Sequence, residues 1–441
     1  MSLEGLNLGG YPGQFCAGRT AIKGTSRPEN NSAEKKILPK LIRSICRFLP
    51  ANGSSLVSLD EKTLLNKAHK QTGLDDPGSE SFHEALGVLL KSLESDANLN
   101  FIGRVCAHSD ILRMLCNRLR LQEDRRRHPQ IAEQIIRRPL FITGLPRTGS
   151  TLLHALLAQD VSCRAPQTWE VMHPSPPPER VSYNYDPRIS KTASELKWLD
   201  IVMPGFRRVH LIDARLPQEC IAITGHAFIS YVFESMYFVY SYRNWHDRQD
   251  KRPAYEYHKQ FLQHLQWLAP GDHWVLKAPS HLFALEALMQ VYPDARIVMT
   301  HRDPLKVLPS CASFTEVLRG SFTDCLDRKK VGIEIAPHWQ KGARRAIEFC
   351  QSNGNSDGRF FNVLYADLIR DPMAVVRLIY NHFDMALTDE TEMAMLRFLA
   401  ENPQNRHGVH RYSLEEFGLD LDTERRRFEF YTSFFGIEPG S

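Results

Sequence analysis

The sequence predicts an α/β fold, a parallel sheet flanked by helices and preceded by an N-terminal helical annex. Three observations carry this. Short apolar runs alternate with helical patterns from Pro139 onward, the signature of strands joined by crossover helices. One such run, Pro139 to Thr143, leads directly into Gly144-Leu-Pro-Arg-Thr-Gly149-Ser150-Thr151 and then an apolar helical stretch, the outline of a phosphate-gripping loop. Residues 36–136 place apolar side chains three and four apart and contain no strand-like run.

In chain order, residues 1–35 carry Gly, Pro, Ser and Asn without apolar periodicity and read as an irregular lead-in. The annex follows over 36–136, and the main domain spans 137–441. Within that domain Thr168 to Pro270 is mostly helical and rich in aromatics. Strands are expected at Trp274–Leu276, Arg296–Thr300 and Phe360–Leu364, with helices at Leu282–Val291, from Pro304 and after Pro372. Ile221 to Tyr242 is apolar but interrupted by His226 and Glu234, so it reads as a buried helix and not as a membrane span.

Composition bounds the function. With 441 residues, 42% of them hydrophobic, the chain can bury a sizeable core. A formal charge of +4 is small for that length; it argues weakly for anionic ligands and does not by itself suggest nucleic acid, and no nucleic-acid partner is expected. The arginine clusters at Asp124–Pro129 and Thr423–Phe428 are short and mixed with acids, as on solvated helix faces. Nine cysteines are scattered without C-x-x-C or a zinc-type His/Cys spacing, which favours reduced thiols. The first residues lack a basic stretch followed by an apolar one, so a cytoplasmic protein is expected.

The chemistry concentrates at strand ends. Where a nucleotide triphosphatase carries lysine after the second loop glycine, this chain has Ser150, and Arg147 sits inside the loop. Backbone N–H groups of such a loop converge with a helix N-terminus on one anion, and Arg147, Ser150 and Thr151 add donors. The strand Arg296–Thr300 ends in His301-Arg302 and not in a metal-binding aspartate, which disfavours a P-loop kinase. Asp303 is a candidate helix cap and Pro304 a first helical residue, so Arg302 stands at the lip of the sheet. Ser310, seven residues after the cap, returns to the same helix face.

Taken together, "GLPRTGSTLLHALL", "RAPQTWEVMHPSPPP", "WVLKAPSHL", "RIVMTHRDPLKVLPS" and "HGVHRYSLEEFGL" resemble the sulfotransferase family, in the branch related to tyrosylprotein sulfotransferases. The resemblance implies a P-loop-like fold and the donor 3'-phosphoadenosine 5'-phosphosulfate, with no metal required. It implies that Arg147, Thr148, Gly149, Ser150 and Thr151 hold the 5'-phosphosulfate, and Arg302 with Ser310 the 3'-phosphate. Glu170 matches the family's base, Lys277 its transition-state lysine, and His281 is the alternative base. A late basic loop with His407, Gly408 and Arg411 is expected to close over the nucleotide. The aromatic middle, Trp198 to Trp267, is expected to form the pocket for a small-molecule or lipid hydroxyl acceptor. Glu219 and His226 are candidates for acceptor contacts or satisfied core groups, and Tyr365 and Asp367 are read as braces of the sheet. A non-catalytic nucleotide-binding protein on the same fold and a P-loop kinase are the competing readings.

Overall fold

The computed structural model describes residues 56–79, 81–353, 358–402 and 413–440. Five strands form one sheet: β1 (Leu140–Gly144), β2 (Cys163–Arg164), β3 (His273–Lys277), β4 (Arg296–His301) and β5 (Phe360–Leu364), in the order β2-β3-β1-β4-β5. Every pair is parallel, with Leu140 registered against Val275 on one side and Arg296 on the other. β1 and β4 are buried along their whole length. Their continuous apolar character therefore replaces the alternation of a half-exposed sheet. Side chains still alternate between faces: Phe141, Leu276, Ile297 and Met299 enter one core, and Leu140, Ile142, Val275 and Val298 the other.

β3 and β4 extend one residue past the stretches expected from sequence, which brings Lys277 and His301 into the last positions of their strands. Because β1 is flanked by β3 and β4, the chain passes to opposite sides of β1 there. A crevice opens at the carboxyl ends of the strands at such a point.

The annex consists of α1 (Glu61–Thr72), α2 (Phe82–Ser95) and α3 (Phe101–Arg127). Asp60 caps α1 by accepting from the Thr63 backbone N–H at 2.9 Å, and Asn100 caps α3 by accepting from Gly103 at 2.8 Å. Leu86, Leu89 and Leu93 of α2 share a core with Phe228, Phe233 and Tyr242 of the middle segment and with Phe322. Each fully buried Leu or Phe contributes ~1.5–3 kcal/mol before chain entropy is counted. The annex is thus welded to the segment that walls the cleft.

The single buried helix expected over Ile221 to Tyr242 is instead broken. Short helices occupy Cys220–Thr224, Val232–Met236 and Tyr240–His246. The break falls at Phe228, whose φ of 56° is left-handed and cannot continue a helix. Tyr242 stabilises the turn, its hydroxyl donating to the Phe228 carbonyl at 2.8 Å and accepting from the Ser230 N–H at 3.0 Å. Likewise, the helix expected from Leu282 starts with a 3-10 turn, Pro279–Phe283, before Leu285–Val291. Among the described residues no helix is long and apolar enough to cross a membrane.

Candidate active site

The segments that follow β1, β3, β4 and β5, with helices outside the sheet, build one cleft, enclosing a cavity of about 340 Å³. The loop between β1 and α4 (Ser150–Leu157) turns through three left-handed residues, Gly144 (φ 139°), Arg147 (φ 66°) and Gly149 (φ 84°). At Gly144 a Cβ would stand 2.2 Å from the Thr300 carbonyl oxygen, so only glycine lets β1 and β4 approach there. A Cβ on Gly149 would meet Leu368 at 2.8 Å and Tyr365 at 3.2 Å, both on α5 (Tyr365–Arg370). Arg147 is a non-glycine residue held at positive φ, a conformation that persists where surroundings over-determine it, often at functional sites.

Arg147 Nε donates to Ser310 Oγ at 3.2 Å, and Arg302 Nη1 donates to the Arg147 carbonyl at 3.1 Å. The Arg302 guanidinium lies 4.0 Å from the Tyr365 ring centroid. Its Nε is buried without a protein partner. Asp303 caps α6 (Pro304–Arg319) by accepting from Leu305 N–H at 2.9 Å and accepts from Gly440 N–H at 2.7 Å through its other oxygen. That anchoring holds Arg302 at the lip of the sheet. Arg147, Arg302 and Ser310, expected at a donor site, are therefore brought together with the N-terminus of α4. The orphaned Arg302 nitrogen and the loop N–H groups fit an anionic ligand.

Thr148 is the exception within the loop. Its hydroxyl is fully buried, donates to the Leu145 carbonyl at 2.7 Å and lies 2.6 Å from Thr300 Oγ1. Its side chain braces the loop, so any contribution to an anion comes from its backbone. Tyr365, expected only as a brace, lines the cleft beneath Arg302.

Lys277, at the end of β3, is 2% exposed and reaches Thr151 Oγ1 at 3.1 Å. Its other partner is Glu219, through a short ion pair. Burial pushes the Glu219 carboxyl up, but the charge and hydrogen bond of Lys277, with His210 and His154, outweigh it and hold the carboxyl below its ordinary range. His210 lines the same cleft. Burial, opposed by Glu219 and assisted by Lys277, lowers its imidazole to about 4.

Glu170, expected as the base, is not in the cleft. It sits at 0% exposure on the helix Thr168–Met172, with one carboxylate oxygen on Arg164 and the other accepting from the Gln167 N–H at 2.8 Å. Gln167 and Glu170 form a capping box, the reciprocal bonding that starts a helix. With both oxygens engaged and no access, its chemistry is structural. The alternative base, His281, also points elsewhere: it is buried in the core, its Nδ1 is 2.6 Å from the Tyr255 hydroxyl, and burial drives its pKa well down. His226 is a satisfied core group, 3.1 Å from Asn117 Nδ2 and donating to the carbonyls of Ala222 and Ile223. His407, Gly408 and Arg411 lie outside the described residues.

The opposite end of the cleft holds residues that sequence reasoning did not assign. Arg319, at the last turn of α6, donates to the Glu234 carbonyl oxygen at 2.7 Å and to Glu334 Oε2 at 3.2 Å. Arg243 stands 3.7 Å from Glu334 and 3.9 Å from Glu234. These groups come from four separate helices, and no local spacing links them.

A parallel sheet with a glycine loop at its carboxyl edge, serine where a nucleotide triphosphatase carries lysine, and two arginines, Arg147 and Arg302, beside that loop defines a P-loop-like protein with a site suited to an anion. The chain belongs to the sulfotransferase family, whose model matches residues 139–389. It is similar in structure to the sulfotransferase STF9 from Mycobacterium avium, with TM-score 0.79 and 33% identity over 86% of this chain and 97% of that one. The sulfotransferase STF1 from Mycobacterium tuberculosis aligns with TM-score 0.75 and 32% identity over 84% of this chain and 98% of its own. A more distant relative, the omega-hydroxy-beta-dihydromenaquinone-9 sulfotransferase Stf3 of Mycobacterium bovis, is 24% identical over 65% of this chain and 73% of its own length.

Proposed function

We propose that this sulfotransferase takes its sulfuryl group from 3'-phosphoadenosine 5'-phosphosulfate and passes it in line to a hydroxyl acceptor, with Glu219 as the base. The observation that carries this reading is the chain of contacts Glu219, Lys277, Thr151, which joins a buried carboxylate to the anion loop through a single ammonium. The donor, when bound, supplies an activated sulfuryl group on a phosphate leaving group. The loop N–H groups, Arg147 and Ser150 are suited to its 5' end, and Arg302 with Ser310 to its 3'-phosphate.

Glu219 carries a negative charge at neutral pH, since its carboxyl is held below the ordinary range. In that state Lys277 satisfies it and restrains its basicity. Negative charge arriving at the loop competes for the ammonium, and the carboxylate is freed to accept a hydroxyl proton from the acceptor. With the donor bound, Lys277 would lend its positive charge to the leaving phosphate, where such charge lowers the barrier most. Apolar side chains, among them Ile221, Phe314, Leu318 and Trp339, line the remainder of the cleft. They fit a small apolar or lipid alcohol, in keeping with the menaquinone-type acceptor in the name of the distant relative.

The test is calorimetry with adenosine 3',5'-bisphosphate, the desulfated donor. Arg147→Ala and Arg302→Ala should each weaken its binding by about tenfold to a hundredfold, the ~1.5–3 kcal/mol of a lost charge-assisted contact. Unchanged affinity in both folded variants removes the donor assignment. Metal-dependent ATP turnover would favour the kinase reading, and donor binding without transfer to any acceptor the non-catalytic one.

A further inference from the structure

The cleft does not end on apolar walls. From Ser310 to Arg319 the axis of α6 advances ~14 Å at the helical rise of 1.5 Å per residue. Cys311, Phe314 and Leu318 line the cleft along that helix, with Ile335 and Trp339 also in the wall. Beyond them the lining turns polar, with Tyr231, Glu234, Arg243, Arg319 and Glu334.

Within this polar end the arginines are satisfied and a carboxylate is not. Arg319 and Arg243 are held by Glu334 and by the Glu234 backbone. Glu234 is only 6% exposed, yet its Oε1 has no partner, and neither has the hydroxyl of Tyr231 at 8% exposure. A buried carboxylate oxygen left without a donor costs free energy that a ligand N–H or O–H would recover. Burial, against the opposing charge of Arg243, pushes the Glu234 carboxyl up to about 8, the behaviour of an acid short of donors.

We propose that the acceptor is an elongated alcohol, apolar along its middle, whose far end carries a hydrogen-bond-donating group, hydroxyl or amine, received by Glu234. This rests on the reading of the opposite end as the site of sulfuryl transfer. Glu234 acts here in specificity, since it faces the end of the acceptor remote from Glu219 and Lys277.

The experiment measures binding to enzyme saturated with adenosine 3',5'-bisphosphate. Three straight-chain nonyl probes are titrated: the simple alcohol, the diol with a hydroxyl at each end, and the amino-alcohol. The diol or the amino-alcohol should bind about tenfold more tightly than the simple alcohol, the scale of one well-made buried hydrogen bond. Preference for the diol alone identifies a hydroxyl end, and stronger preference for the amino-alcohol identifies an ammonium end. Glu234→Leu, which replaces the orphaned acid by an apolar group of similar size, should erase the preference. Glu234→Gln keeps an acceptor oxygen and should retain the diol preference while losing that for the amine. Equal affinity of all three probes in the wild type, survival of the preference in Glu234→Leu, or no probe binding while the bisphosphate binds, each overturns the inference. If the bisphosphate itself does not bind, the donor reading has failed, and the same probe comparison on the free enzyme still decides the role of Glu234.

Discussion

Two glutamate–cation pairs, whose cations end β2 and β3, behave differently. Glu170 is 0% exposed against an Arg164 side chain that is 8% exposed, and Glu219 is 16% exposed against a Lys277 side chain at 2%. In the first pair both carboxylate oxygens are consumed, one by the guanidinium and one by a helix N–H. Arg164 is fixed further by the Leu265 and Ala269 carbonyls and by Trp274, 4.7 Å beneath it. In the second pair the carboxylate lines the cleft and its cation is shared with Thr151 of the anion loop. Burial alone therefore does not separate a structural acid from a reactive one. What separates them is whether a lone pair remains for substrate and whether the partner cation can be drawn away.

The largest effect expected from this contrast is on catalysis. Glu219→Gln should keep its bond to Lys277 and its affinity for adenosine 3',5'-bisphosphate, yet lose turnover by about a hundredfold to ten-thousandfold, the scale of a lost general base. Steady-state kinetics with radiolabelled donor measure it. Turnover near wild type would give the base role to another group, with His210, which lines the same cleft, the next to test.

Glu170→Ala should show the opposite signature. Stripping one partner from a buried pair leaves Arg164 uncompensated and should cost ~3–5 kcal/mol of folding stability. Chemical denaturation gives that loss, while the turnover of the folded fraction should stay near wild type. A variant as stable as the parent but inactive would reverse the assignment of the two acids.

The smallest effect concerns pH. The folded Glu219 carboxyl lies below its ordinary value. Its contribution to stability is therefore fully present above that ordinary value and is lost as pH falls through the lowered one. The acid limb of kcat/KM should accordingly fall below the usual carboxylate range. Lys277→Met removes the leading cause of the lowering and leaves burial, so the Glu219 titration, followed by carboxyl NMR or by the residual rate, should move to higher pH. A titration unmoved by that change would mean that Lys277 does not set the charge of Glu219.

The end of the cleft that holds Arg147 and Arg302 was readable because its parts sit next to strand ends. Arg147, Ser150 and Thr151 follow β1 within a few residues, Lys277 closes β3, and Arg302 with Ser310 follows β4. Strands and capped helices announce themselves by local periodicity, so the neighbours of their ends can be placed in advance. Glu170 misled for an equally local reason. Its match to the family's base suggested a reactive acid, but its position three residues after Gln167 is that of a capping-box acid. Glu219 stood out as a charge in apolar sequence, without anything to show that Lys277, 58 residues later, would be its partner.

By itself the sequence determined the parallel sheet, the loop that follows β1 and the cationic residues at the strand ends, because each depends on side-chain period and turn chemistry over a few residues. The tertiary structure decided which carboxylate faces Lys277, and it set Glu234, Arg243, Arg319 and Glu334 around one end of the cleft. It did so by breaking the apolar stretch at Phe228 and packing its pieces between the annex and α6. The physical reason is that a buried charge takes its partner from whatever the packed core brings within reach, and that choice spans distances over which no periodicity in the chain extends.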